Sequence, residues 1–437
     1  MREPEPPRFR TRSVYHSDLV EEWLSVWHQS DGGLPSLGRS YSQDEQTGHE
    51  ALLDRALEDI QVRVFESEPE YGGIVGAVAH LACAALDIDD DRTETLLRDD
   101  FSVVARDLAT QARHLDPAVA TDDILQACRN AWTACGLQAL LGEPVHLTQA
   151  IFAYSMLYPY SDNYLDDKRV APDAKLRFSS RFRLRLAGDE RPPGNGRESM
   201  IWELVSLIEG QWPRKTYPGV YDCLLAIHRA QENSLQQQGA SGLSNTDILR
   251  LSFAKGGASV LADAFLATGS LNEAERRFAF GWGVLLQLGD DLQDLASDRD
   301  RGFHTLFSRA AGQGMLDELT TRTLNFASRV MDSMRALPNG AEHLKELLQR
   351  NSISLLTAAA GEYSELYSDT YLRELESYGP LRFAFLKSRK DRVRRWLGTD
   401  TRVIEELLFA QACVPNSNEQ LCGDLAAEAR SRLVSRF

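Results

Sequence analysis

Long apolar runs are missing from this 437-residue chain, so it offers no candidate for a membrane-spanning helix. Its first residues, MREPEPPRFRTRS, lack the apolar core of a secretory signal, and a cytoplasmic protein is expected. Cysteine is scarce. Cys83, Cys128, Cys135, Cys223, Cys413 and Cys422 have no metal-type spacing, so they are expected to be small buried hydrophobes, not disulfides or zinc ligands. Positive charge is in deficit: 48 Lys and Arg face 64 Asp and Glu, a net charge of −16. That argues against a nucleic-acid partner, which needs a basic surface. It does not exclude a small anion held by a local basic cluster or by metal ions. Alternating strand patterns are also scarce, and no internal repeat or low-complexity linker divides the chain.

What the chain has is helical periodicity. Apolar residues recur at three and four spacing over about 49–67, 71–88, 92–112, 121–138, 144–168, 173–188, 197–212, 217–238, 245–268, 271–299, 314–336, 340–377, 380–398 and 402–436. DERPPGNGR, QQQGASGLSN and LPNG punctuate these segments. The pattern predicts an all-α bundle of a dozen or more helices. Residues 1–45 are less periodic and are expected as an extension packed on the outside, with 46–437 as a single all-α domain.

Two acidic clusters stand out. GWGVLLQLGDDLQDLASDRD carries an apolar helix into Asp290, Asp291, Asp294, Asp298 and Asp300. Acids near a helix C-terminus oppose its dipole. Asp290, Asp294 and Asp298 share one face and repel by roughly 0.2–0.5 kcal/mol per exposed pair. QAIFAYSMLYPYSDNYLDDKR does the same with Asp162, Asp166 and Asp167. Here Pro159 either kinks the helix or starts it, and a start would make Asp162 an ordinary first-turn acid. The clusters at 87–95 and 121–126, by contrast, sit where helices begin and read as caps. Two carboxylate pairs without His or Cys suit Mg²⁺, which takes oxygen ligands and is completed by water and phosphate. Metal above an aromatic-lined cavity suits a substrate with a phosphate head and an apolar tail.

LLQLGDDLQD resembles the second aspartate-rich motif of trans-prenyl diphosphate synthases, FQxxDDxxD, with Gln287, Asp290, Asp291 and Asp294 on its positions and Leu286 in place of Phe. DNYLDD resembles the looser DxxxD first motif of squalene/phytoene synthases and related terpene cyclases. SFAKGGASVLADAFLATG resembles the helix before the second motif, with Lys255 at the position of a diphosphate-binding lysine. The resemblance covers roughly 145–310. It implies a class I terpenoid synthase-like antiparallel helical bundle around a central cavity, with three Mg²⁺ ions at the mouth. The implied chemistry is loss of diphosphate from a prenyl diphosphate to give a carbocation. Asp162, Asp166, Asp290 and Asp294 would be catalytic and, with Asp291, would hold metal. Lys255, Arg301, Gln287 and Arg169 would bind substrate. A homodimer is compatible with this family.

The chain departs from the family in two places. No GGKRxRP-like basic motif for isopentenyl diphosphate precedes the first acidic cluster; only Arg113, Arg129, His114 and His146 are basic there. The NSE-type motif of common microbial cyclases is also absent. These departures favour a cyclase that uses one diphosphate. The rivals are a prenyltransferase, either chain-elongating or squalene/phytoene synthase-like, and a non-catalytic helical scaffold whose acids form solvated faces. Further candidate cations are Lys168, Arg299, Arg382, Lys387, Arg389 and Lys390, although a surface helix also carries such charges. Phe152, Tyr154, Tyr158, Phe253 and Trp282 are candidates for a cavity wall.

Overall fold

The three-and-four spacing becomes helix almost throughout. The computed structural model of the protein describes residues 14–64, 71–88, 91–167, 169–238 and 242–390. Among these the α-helices are α1 (Val14–His28), α2 (Gln43–Val64), α3 (Tyr71–Leu86), α4 (Asp91–Thr95), α5 (Ser102–Leu115), α6 (Thr121–Leu141), α7 (Gln149–Asp166), α8 (Pro172–Leu186) and α9 (Gly196–Gln211). They continue with α10 (Pro218–Ser234), α11 (Asn245–Thr268), α12 (Glu273–Gln293), α13 (Leu295–Arg301), α14 (Leu306–Ala310), α15 (Asp317–Arg335), α16 (Glu342–Glu362) and α17 (Asp369–Ser377). The described residues contain no strand, only an isolated bridge between Gln238 and Phe303. None of their helices is long and apolar enough to cross a membrane. Cys83, Cys128, Cys135 and Cys223 are free and buried, as expected. Cys413, Cys422 and the predicted helix 402–436 lie outside the described residues.

Several predicted helices are divided. The 92–112 segment contains a π-helical stretch, Leu96–Phe101, between α4 and α5. The 271–299 segment breaks at Asp294, whose backbone (φ −89°, ψ 9°) leaves the helix between α12 and α13. Tyr363 accounts for part of this break: its hydroxyl donates to the Gln293 carbonyl at 2.7 Å. The 340–377 segment is interrupted at the same tyrosine.

The segment expected as an outer extension contributes to the core. Trp23 and Trp27 of α1 are fully buried, and both meet Phe326 of α15 edge-on. The Trp23 indole N–H donates to the Arg277 carbonyl at 3.1 Å, and Trp23 occupies the space that a side chain at Gly281 would need. Val20, Trp23, Leu24 and Trp27 of α1 are all buried and stand at the i, i+3, i+4, i+7 spacing of one helix face, a local signal that the expectation of an outer extension passed over.

The centre of the bundle is the α11–α12 hairpin. Both helices begin with a capping box, Ser244 with Asp247 and Asn272 with Glu275. Between them Gly269 takes the left-handed conformation (φ 76°) that ends α11 and turns the chain back. The two helices then cross glycine to glycine. A Cβ on Gly256 would collide with the Gly283 carbonyl, and one on Gly283 with the Gly256 carbonyl.

Contacts along the helices fix their directions. α6 is antiparallel to α7: Asn163 donates to Asp123 at 3.0 Å, and Asn130 to Ser155 at 3.1 Å. α6 is also antiparallel to α12. Its Gly136 lies against the Trp282 ring, while Arg129, two turns earlier, acts on Asp290 two turns later. The C-termini of α7 and α12 therefore lie at the same end of the bundle, with the N-termini of α6 and α11.

Gly283→Ala should lower stability by about 2 kcal/mol or more, because the clash is with backbone and outweighs the roughly 1 kcal/mol gain in helix propensity. Gly136→Ala should be neutral or stabilising, since its Cβ would have no heavy atom closer than 3.8 Å. Chemical denaturation midpoints of the two variants check the contrast.

Candidate functional site

At this end of the bundle α12 delivers its acids against the helix dipole. Asp290 is open to solvent, yet protein crowds its carboxyl. Burial pushes its pKa up to about 6; Arg129 and Lys255 oppose the rise and Asp294 adds to it. Asp298, half-buried on α13, is pushed to about 6 by burial and by Asp294, with Arg301 and Lys255 opposing. Asp294 itself is exposed at the junction of the two helices. Asp290, Asp294, Asp298, Lys255, Arg129 and Arg301 therefore form one electrostatic group drawn from α6, α11, α12 and α13. Lys255 is half-buried between Asp290 and Asp298 in influence, and the sequence had singled it out.

Asp291 has a different environment. It is 4% exposed and turned into the α11–α12 seam. Its Oδ1 accepts from Gln287 Nε2 at 2.8 Å and its Oδ2 from the Ser252 hydroxyl at 3.2 Å. Burial raises its pKa to about 7, and the charges of Asp298 and Asp290 add to the rise. Gln287 is thus committed to Asp291 here, one turn away on the same helix.

On α7 the helix runs unbroken through Pro159, capped at its start by Thr148. Asp162 is consequently not a first-turn acid: it lies near the C-terminus, where the dipole again disfavours it. It is half-buried and accepts from the Ser161 hydroxyl at 3.0 Å. Asp167 faces elsewhere. Arg169 grips both its oxygens, with Nε–Oδ1 at 2.9 Å and Nη2–Oδ2 at 2.9 Å, and holds its pKa down at about 2. The pair lines a cleft of about 530 Å³ with Asp116, Asp123, Tyr160 and Arg197, on the α9 side of α7. Arg169 is accordingly not brought into the Asp290 group. The side chain of Asp166, and Lys168, lie outside the described residues.

Three of the late basic residues are occupied as well. Arg382 pairs with Glu50 (Nε–Oε1 2.8 Å), Arg389 with Asp54 (Nη2–Oδ2 2.6 Å) and Lys390 with Glu362. Of the candidate wall aromatics, Phe253 packs on Trp27 and Phe326, toward α1 and α15, and Tyr158 is 41% exposed. Phe152, Tyr154 and Trp282 are buried.

Among the described residues no three His, Cys, Asp or Glu side chains gather closely enough to hold a metal ion by themselves. Asp290 and Asp294, both exposed, and the half-buried Asp162 are hard oxygen donors on two helix ends. That donor set fits Mg²⁺, which keeps several waters and binds through one or two carboxylates plus phosphate oxygens; it does not fit a closed cage. Sequence reasoning passed over Arg129, naming it only as one of the few basic residues ahead of the first acidic cluster. Its place on the helix before the first acidic cluster was the available signal.

The chain matches no protein-family model, and no curated protein matches it.

Removing like charge from this end should not harm the fold. The metal-free Asp290→Asn variant should melt at or above the wild-type temperature, because the repulsion from Asp294 and the burial of charge are both relieved. Thermal melts in the presence of a chelator check this; a clear drop would make Asp290 a structural acid.

Proposed function

We propose that the protein is a Mg²⁺-dependent class I terpene synthase, which ionises a linear prenyl diphosphate and cyclises or rearranges the resulting carbocation. One observation carries the reading. Two acidic helix ends, far apart in sequence, lie at the same end of the bundle, and Lys255 stands among the acids of the second. A solvated polar face needs neither the convergence nor the half-buried lysine, and crowding like charges at two helix C-termini is unfavourable unless cations offset it.

In this reading Asp290, Asp294 and Asp162, with Asp166, would hold the metal, which when bound would neutralise charge developing on the departing diphosphate. Lys255, Arg129 and Arg301 would take the remaining phosphate charge through charge-assisted hydrogen bonds. Asp291 supports the site from behind: held by Gln287 and Ser252, it fixes the register of α12 on α11. Trp282 and Phe278, buried and stacked at 5.8 Å, are the aromatic rings that this reading would call on to stabilise a cation.

The test is incubation with Mg²⁺ and C10, C15, C20 or C25 prenyl diphosphates, followed by assay of released pyrophosphate and mass analysis of an extract. One substrate should give a hydrocarbon or alcohol, and labelled isopentenyl diphosphate should not be incorporated. Asp290→Ala and Asp294→Ala should each lower turnover by at least ~10² through lost transition-state charge stabilisation. A labelled, longer diphosphate product would make the protein an elongating prenyltransferase. No turnover with any substrate would leave the scaffold reading.

A further inference from the structure

The break between α12 and α13 falls inside the acidic group, and a single hydroxyl from another helix bridges it. The last carbonyls of an α-helix and the first N–H groups of the next have no partner within their own helix. At this junction the Tyr363 hydroxyl donates to the carbonyl of Gln293, the last residue of α12, at 2.7 Å. Its oxygen accepts from the N–H of Ala296, in the first turn of α13, at a longer 3.4 Å. Both loose ends thus meet on one side chain. Burial raises the Tyr363 pKa, the Ala296 N–H opposes the rise, and the charges of Glu362, Asp294 and Asp298 add to it, so the hydroxyl keeps the proton that it donates.

Tyr363 is itself held in place. It ends α16 with a non-helical backbone (φ −103°, ψ 41°), and its carbonyl accepts from the Leu366 N–H at 2.9 Å. Two residues earlier, the Phe383 ring fills the space that a side chain on Gly361 would need. α16 also runs along the end of α12. Leu356, 1% exposed, stands 3.9 Å from where a Cβ on Gly289 would lie, and Tyr363 reaches Gln293 one turn further on.

The break decides where the acids stand. Asp294 is the junction residue: its N–H donates to the Asp290 carbonyl at 2.8 Å, and its own carbonyl accepts from the Asp298 N–H at 2.8 Å. Along an unbroken helix Asp298 would lie about 10 Å beyond Asp291. Across this break the charge of Asp298 acts on Asp291 more strongly than that of the adjacent Asp290 does. The start of α13 therefore keeps Asp298 beside the end of α12.

We propose that Tyr363 is a positioning residue for the metal site: by tying Gln293 to Ala296 it holds the α12–α13 break, and so sets Asp294 and Asp298 relative to Asp290 in the arrangement that takes up a divalent cation with diphosphate. The inference rests on the functional reading above. The hydroxyl is engaged by backbone atoms, so Tyr363 acts through the residues that would bind the cation and not on the cation itself.

Tyr363→Phe keeps the ring and removes only the hydroxyl. The full-length wild type and this variant are titrated with Mn²⁺ in the presence of inorganic pyrophosphate, followed by electron paramagnetic resonance, and are melted in the presence of a chelator. The variant should melt within about 3 °C of wild type. Its half-saturating Mn²⁺ concentration should rise at least ~tenfold, as it does when a group that orients metal ligands is lost. Tyr363→para-aminophenylalanine, which restores a donor at the same reach, should bring that concentration back to within about threefold of wild type. A purely structural role would lower the melting temperature and leave the Mn²⁺ affinity of the folded protein unchanged, and that result would overturn the proposal. If Tyr363→Phe does not fold, Tyr363→His, whose shorter side chain draws its donor away from Gln293, is read by the same two measurements. A wild type whose Mn²⁺ uptake is indifferent to pyrophosphate defeats the functional reading and this inference with it. One that responds, with Tyr363→Phe binding Mn²⁺ as wild type does, defeats only this inference.

Discussion

The close crossing of α11 on α12 is the constraint on which the rest of the site depends. Gly256 and Gly283 face each other with no room for a side chain on either, so the two backbones approach as near as helices can. That approach sets the register. It puts Ser252 against Asp291, brings Lys255 within the influence of Asp290 and Asp298, and points the acidic end of α12 the same way as that of α7. Glycines in a helix interior cost roughly 1 kcal/mol each relative to alanine. Here their cost is offset by packing available to no other residue.

The same crossing creates an electrostatic problem that the fold alone does not solve. Asp290 and Asp291 stand in the last turn of α12, where the dipole repels them, while Asp294 precedes α13 and Asp298 lies in its first turn, crowded by burial and by each other. Lys255, Arg129 and Arg301 supply part of the compensation. Asp291 is managed internally by two hydrogen bonds. Asp290 and Asp294 face solvent and Asp298 is half-buried. One short stretch thus holds a buried, hydrogen-bonded acid beside exposed ones, and under the proposed function the first would support the site and the others would bind.

Much of the architecture was legible in the sequence because amphipathic periodicity is a local signal. α6, α7 and α11 follow the predicted windows closely, and the acids at 290–298 and Lys255, each picked out in the sequence, do stand close enough to influence one another. Three things were not read, two of them because they depend on long-range contact. α1 did show helical apolar spacing at Val20, Trp23, Leu24 and Trp27; what stayed hidden was that its tryptophans meet Phe326, some 300 residues away on α15. The break at Asp294 is held by Tyr363, about 70 residues on. Arg129 looked unremarkable in its own helix and gains meaning only from the helix opposite it. Pro159 illustrates the converse: the sequence allowed a helix start or an interior position, and packing of the apolar turns on both sides keeps the helix continuous.

The central claim is that the two acidic helix ends form one site for metal and diphosphate. Mn²⁺ binding, followed by electron paramagnetic resonance with and without inorganic pyrophosphate, tests it most directly. The account predicts that pyrophosphate sharply increases Mn²⁺ uptake by the wild-type protein, and that Asp162→Asn and Asp290→Asn each abolish the increase although they lie on different helices. Mn²⁺ uptake indifferent to pyrophosphate, or lost in one variant and untouched in the other, would contradict it.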